Sequence, residues 1–145
     1  EPRQVARAEL GDRRPGELIT KIRLRRPPSD APGRTVHYYR KVGTRAAQAI
    51  SKVCLAAFAR IDGARLLNIR LGLGSVAPIP LRCTRTESVL LSGPLDEALI
   101  RRAEATLAYE CSPIDDVRST SAYRRRVTLN LLRELLQQCR SDRRE

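Results

Sequence analysis

Asp62-Gly63 is a dipeptide suited to a tight reversal, and it stands between two apolar runs. Upstream, residues 50–61 include the stretch Val53-Cys54-Leu55-Ala56-Ala57-Phe58-Ala59; downstream, residues 66–73 again have β character. The arrangement predicts two antiparallel strands, the first buried on both faces or nearly so. An Ala-rich helix is the alternative for the first run. A further strand precedes them. Val36, Tyr38, Arg40 and Val42 alternate with His37, Tyr39, Lys41 and Gly43, so a strand here sends two different sets of side chains to its two faces. A turn at Gly43 and a second strand through residues 48–53 follow. Lys41 thereby acquires a fixed direction.

Behind these strands the periodicity changes. Ser92-Gly93-Pro94-Leu95-Asp96-Glu97 combines a capping residue, an early Pro and first-turn acids, which predicts a helix running to about Glu110. Leu95, Leu99, Ala103 and Leu107, with Ala98 beside them, form its apolar stripe, and Ser112-Pro113 ends it. Ser119, Thr120 and Ser121 are candidate caps for a last helix from Ala122 to about Gln138. Val127, Leu129, Leu131, Leu132, Leu135 and Leu136 give that helix a broad buried arc. Strands first and helices afterwards indicate an α+β fold: an antiparallel sheet of three or four strands packed against about three helices.

The flanks differ in composition. Residues 1–14 are polar and Arg-rich, Arg14-Pro15-Gly16-Glu17 is a turn signal, and Leu18 to Leu24 alternates as a half-buried strand with Ile19, Lys21 and Arg23 on one face. Pro27-Pro28-Ser29-Asp30-Ala31-Pro32-Gly33 cannot sit inside a helix or sheet and connects that strand to the next. The expected division is therefore residues 1–33 as the end of a neighbouring domain with its linker, 34–138 as an α+β domain, and 139–145 as a charged tail. No apolar run approaches the ~20 residues of a membrane span, and no signal-peptide pattern is seen, so a cytoplasmic setting is expected.

Most chemical motifs that the chain suggests at first sight lack their context. Cys54, Cys83, Cys111 and Cys139 lie nearly thirty residues apart without a C-x-x-C pair, which argues against zinc or iron–sulfur ligation and for small, partly buried thiols. Gly72-Leu73-Gly74-Ser75-Val76 resembles a phosphate-cradling loop only superficially, since Pro78 and Pro80 follow instead of a helix. Asp115 and Asp116 are adjacent carboxylates that could share a cation, but neighbours in an extended segment point apart, which favours a role in the loop leading into the last helix. His37 has no nucleophile or carboxylate at a suggestive spacing and reads as a solvated strand residue. Arg45 could grip a phosphate or carboxylate, with a structural ion pair as the simpler role. The net charge of +12 attracts anions in general. Its basic residues, however, are dispersed and aromatic residues are scarce, so nucleic-acid binding is disfavoured. A stand-alone basic module that binds nucleic acid or an acidic partner is the alternative function.

Three separated segments carry a family resemblance. Y-x-K-V-G-x-R followed by Q-A-I-S-K-V from Tyr39, G-S-V-A-P-x-P-x-R from Gly74, and S-P-I-D-D-V-R-S-T-S-A-Y-R-R-R-V from Ser112 resemble, in order and spacing, the FAD-carrying subunit or segment of molybdenum-containing hydroxylases. This is the family of the carbon monoxide dehydrogenase medium subunit and the corresponding part of xanthine dehydrogenase and aldehyde oxidase. P-G-E-L-I-T-x-I-R-L from Pro15 looks like the last strand of that family's flavin domain. The resemblance implies that Lys41 points its ammonium at the N1–C2=O edge of the flavin and that Ile19 packs near the isoalloxazine ring; a surface lysine and a core isoleucine are the plain alternatives. It implies further that an acidic residue and the first Arg of the third segment, Arg118, hold the loop before the last helix. Cys83 stands where the family more often has a small residue. The family's Gly-rich loops for the FAD pyrophosphate lie upstream of anything corresponding to Glu1, so the FAD site in this chain is expected to be incomplete. The holoenzyme implied passes electrons from a molybdopterin site through 2Fe-2S clusters to FAD, with a molybdenum-binding large subunit and an iron–sulfur small subunit as partners.

Overall fold

The computed structural model describes residues 16, 18, 20, 21, 31–45 and 49–141. By its internal contacts the chain divides into two units, Glu1–Ala31 and Pro32–Glu145. Ile19 and most of the strand expected over residues 18–24 lie outside the described residues.

The described residues of the second unit form four strands and three helices in chain order: β1 (Arg34–Val42), β2 (Val53–Asp62), β3 (Arg65–Gly74), β4 (Leu81–Arg82), α1 (Thr84–Leu90), α2 (Glu97–Glu110) and α3 (Ser121–Ser141). The strands form one antiparallel sheet in the order β1-β2-β3-β4. Gly63, with φ near 53°, makes the reversal between β2 and β3 that its dipeptide predicts. The second strand begins only at Val53, so Ile50–Lys52 belong to the connection. The Ala-rich run is a strand and not a helix.

All three helices belong to one core with a single face of the sheet. α3 packs on β1 and β2, α1 on β3, and α2 against α1 and α3. Val36 and Tyr38 of β1, Val53, Leu55, Ala59 and Ile61 of β2, and Leu66, Ile69, Leu71 and Leu73 of β3 are buried with Leu99, Leu107, Leu132, Leu135 and Leu136 of the helices. β2 is therefore buried on one face only, contrary to the expectation from its composition: Ala56 is exposed and Cys54 and Phe58 are half-buried. Small side chains made the strand look doubly buried because Ala and Cys are apolar wherever they lie. A bulge explains the uneven spacing in β3. Arg60 pairs with Asn68 but Ile61 with Leu66, so Leu67 is an extra residue, and Leu66 and Ile69 reach the same face across an odd interval.

The helix boundaries shift by a few residues. α2 is capped by Asp96, whose carboxylate accepts the Leu99 N–H at 2.8 Å, and not by Ser92. Its buried stripe takes in Ile100 where Ala98 was expected; Ala98 is exposed. α3 continues to Ser141, and Cys139, assigned by sequence to a charged tail, is fully buried with its carbonyl accepting a bond from Arg34 at 2.9 Å.

Gly33 leads into β1 with φ near 88°, and a Cβ there would stand 2.8 Å from the Ile61 carbonyl oxygen. Both the backbone conformation and a rigid main-chain neighbour oppose a side chain. Gly33→Ala is expected to lower the unfolding free energy by about 2–3 kcal/mol. Chemical denaturation would show this, and a midpoint equal to wild type would refute it.

Candidate functional site

The alternation of β1 sends His37, Tyr39 and Lys41 to the face opposite the described helices. The register extends each into a row across the sheet: His37 with Phe58 and Arg70, Tyr39 with Ala56 and Gly72, Lys41 with Cys54 and Gly74. The rings of His37 and Phe58 meet edge to face with centroids 5.3 Å apart. His37 is exposed, as expected of a solvated strand residue. In the row of Lys41 the next strands contribute only small residues, Cys54 and Gly74. Gly72-Leu73-Gly74 lies in β3 and is not a phosphate loop.

Lys41 Nζ is directed by the chain that follows it. It donates to the Ala49 carbonyl at 3.1 Å, and the Lys52 N–H closes the connection on the Val42 carbonyl at 2.7 Å. One of the three donors of the ammonium is thus engaged, which leaves donors for an acceptor arriving from solvent. Arg45 is exposed in the same connection.

A second cluster lies at the far end of this connection. Arg124, on α3 and only 4% exposed, donates from Nη1 to the carbonyls of Ser75 at 2.8 Å and Lys52 at 3.3 Å, and its Nη2 lies 2.7 Å from Asp116 Oδ2. Asp116 also accepts the N–H groups of Arg118 at 2.9 Å and Ser119 at 3.0 Å, and Asp115 accepts that of Ser121. The Arg118 N–H and the Arg124 guanidinium hold the Asp116 carboxyl below its usual range; the backbone N–H of Ser121 does the same for Asp115. These carboxylates organise the loop that leads into α3, whose first turn Thr120 caps through Tyr123 N–H. The guanidinium that holds this loop belongs to Arg124; Arg118 contributes its main chain. Sequence reasoning missed this because Arg124-Arg125-Arg126 looks like one solvated run, and only the phase of α3 turns the first of them inward.

Glu87 was also missed. It is buried on α1, accepts the Leu71 N–H at 2.8 Å and both forks of Arg82 at 3.1 and 2.9 Å, and lies 3.7 Å from Arg70. Burial alone would raise its pKa, but Arg82, the Leu71 N–H and Arg70 outweigh it and keep the carboxyl below the usual range. Glu110 similarly accepts the N–H groups of Arg85 and Thr86 at the start of α1. With their acceptors committed in this way, both carboxylates join elements together.

Cys83, Cys111 and Cys139 are buried free thiols and Cys54 is half-buried. Burial pushes Cys111 up to about 11 and Cys83 further, so both stay neutral and act as small apolar groups. Several basic side chains are tied internally: Arg40 to Glu134, Arg101 to Glu97 and Arg133 to Glu104, besides Arg70, Arg82 and Arg124. No described helix is long and apolar enough to cross a membrane.

Residues 37–139 match the family described as CO dehydrogenase flavoprotein C-terminal domain. The chain is 28% identical over 127 residues to the carbon monoxide dehydrogenase medium chain of Afipia carboxidovorans, covering 88% of this chain and 42% of the relative. It is 32% identical over 117 residues to the glyceraldehyde dehydrogenase medium chain of Sulfolobus acidocaldarius, covering 80% and 39%. The fold is similar to that in carbon monoxide dehydrogenase from Hydrogenophaga pseudoflava lacking the molybdenum-pyranopterin moiety, with a TM-score of 0.67 and 25% identity over 76% of this chain and 38% of that one. The chain therefore spans about two fifths of the length of the curated relatives it matches.

Proposed function

Because the chain belongs to the CO dehydrogenase flavoprotein C-terminal domain family, we propose that it is the C-terminal part of the FAD-binding subunit of a molybdenum-flavin hydroxylase and helps to close the flavin site. The observation that supports this reading is the Lys41 ammonium, carried on the sheet face opposite the described helices beside small residues and held by one carbonyl with donors to spare. An ammonium so held fits the electron-rich edge of a flavin ring. The fit concerns the ring edge; the FAD diphosphate would be held by Gly-rich loops outside this chain.

When bound, FAD supplies a ring that accepts electrons and gains negative charge along its N1–C2=O edge. Lys41 would donate to that edge, and the Ala49 carbonyl keeps the ammonium from turning away into solvent. Ile19, which the resemblance also assigns to the flavin ring, lies outside the described residues. The helices brace the sheet from behind. The partners this reading implies would be a molybdenum-binding large subunit with molybdopterin and an iron–sulfur small subunit with 2Fe-2S clusters, which would supply the electrons that FAD takes up.

Replacing Lys41 by Ala in the FAD-loaded subunit tests this role. Loss of the cation is expected to lower the flavin midpoint potential by about 20–60 mV, equivalent to about 1–3 kcal/mol for two electrons. Lys41→Arg should recover most of the shift. Spectroelectrochemical titration measures both, and an unchanged potential in Lys41→Ala removes Lys41 from the flavin site.

A further inference from the structure

A lysine side chain has four rotatable bonds, so an exposed ammonium acts at a defined point only if something holds it there. In this chain that is the Ala49 carbonyl, and Ala49 lies in a stretch outside the sheet, followed by an exposed Ile50. The position of Ala49 depends in turn on whatever fixes residues 50–52. On the β1 side the Lys52 N–H donates to the Val42 carbonyl. On the other side several contacts converge. Arg124 Nη1 reaches the Lys52 and Ser75 carbonyls, Ser51 Oγ lies 3.1 Å from Ser75 Oγ, and Lys52 Nζ stands 5.3 Å from the centre of the Tyr123 ring.

Two details mark this cluster as more than general packing. Ser75 has φ near 66°, a conformation that a residue with a Cβ rarely adopts, and it holds this conformation while bonded through both its carbonyl and its hydroxyl. The remaining helix positions that face the core are mostly Leu, and burying a guanidinium with its carboxylate commonly stabilises a fold no better than an apolar side chain of similar volume. What a guanidinium adds is a rigid fork that sets two carbonyls and one carboxylate at fixed mutual positions.

We infer that Arg124 is a positioning residue for the Lys41 ammonium: anchored by Asp116, it sets residues 50–52 and Ser75, and so places the Ala49 carbonyl on which Lys41 rests. This rests on the reading of Lys41 as the flavin-facing cation.

The test uses the FAD-loaded subunit that carries this chain, with Arg124→Met, Lys41→Ala and the double variant. Amide hydrogen exchange at Lys52, whose N–H bonds the Val42 carbonyl, is expected to accelerate at least about tenfold in Arg124→Met while the core of β2 stays protected. The flavin midpoint potential should move in the direction seen with Lys41→Ala, by at least half as much. In the Lys41→Ala background, the Arg124 substitution should have no further effect on the potential, because it acts through that ammonium. Should Arg124→Met fail to fold, Arg124→Lys is read in the same way, since it keeps the charge and loses the fork.

Unaltered exchange at Lys52 overturns the inference, even if Lys41 sets the potential. A potential shift that persists undiminished in the double variant overturns it as well. Faster exchange together with a potential indifferent to Lys41→Ala upholds the anchoring and refutes the flavin reading, so the two fail separately.

Discussion

Leu132→Ala is expected to remove about 3–5 kcal/mol of stability, the largest effect of any single truncation argued for this domain. Leu132 is fully buried on α3, between Thr128 and Leu136 on the helix face that packs on β1 and β2. Its neighbours Leu131, Leu135 and Leu136 are held in one helix over a sheet, so they cannot collapse into the space left behind. The cost is therefore the lost transfer of the side chain plus a residual cavity. Small domains have about 5–15 kcal/mol in total, so such a variant would sit near its unfolding threshold at room temperature. Guanidinium denaturation gives the value. Leu91→Ala, at a position 40% exposed, should cost less than about 1 kcal/mol and serves as the comparison. Equal midpoints for the two variants would mean that α3 is not the core helix described here.

Glu87 carries the second large effect. Glu87→Ala leaves the buried Leu71 N–H without its acceptor and should cost about 2–3 kcal/mol. The paired Arg82 and Arg70 are half-exposed and can return to water, so the loss falls mainly on the buried amide. The pH dependence follows from the same geometry. The Glu87 carboxyl is held below its ordinary value in the folded state, so the unfolded chain binds its proton first as pH falls. Its contribution is complete above the unfolded carboxylate pKa of about 4.3 and is lost as pH drops through the depressed folded value. Asp115 and Asp116 are lowered too and act in the same direction. Stability measured between neutral and acid pH should fall more steeply for wild type than for Glu87→Gln, and parallel curves would show that the carboxylate charge does not matter.

Much of the fold was legible because it is written in short-range patterns. The alternation around Val36–Val42, the reversal at Asp62-Gly63 and the four-residue steps of Leu95, Leu99, Ala103 and Leu107 each depend on residues within a turn or two of one another. The resemblance carried by three segments extended that reading to a family, and the match over residues 37–139 bears it out. Misjudged details are those in which local patterns are ambiguous. Ala98 and Ile100 both fit a helix that follows Asp96, and the direction of the sheet decides which is buried. An Ala-rich strand gives no sign of having one open face.

The sequence by itself determined the strand ending in Val42, the reversal at Asp62-Gly63 and the last two helices, because backbone periodicity is a local property of side-chain sterics and hydrophobicity. It left the Ala-rich run open between strand and helix and put residues 48–53 in a strand, of which Ile50–Lys52 lie in a connection. It also placed Lys41 on the opposite face of its strand from Tyr38 and Val42. Only the tertiary structure decided which face that would be, by laying the helices on the other one. It also decided what Arg124 and Glu87 are for. Arg124 bonds carbonyls 49 and 72 residues away, and Glu87 accepts an amide 16 residues back. Partners so distant meet only when the sheet and helices have packed, and a charged side chain reads as solvated until its partners arrive.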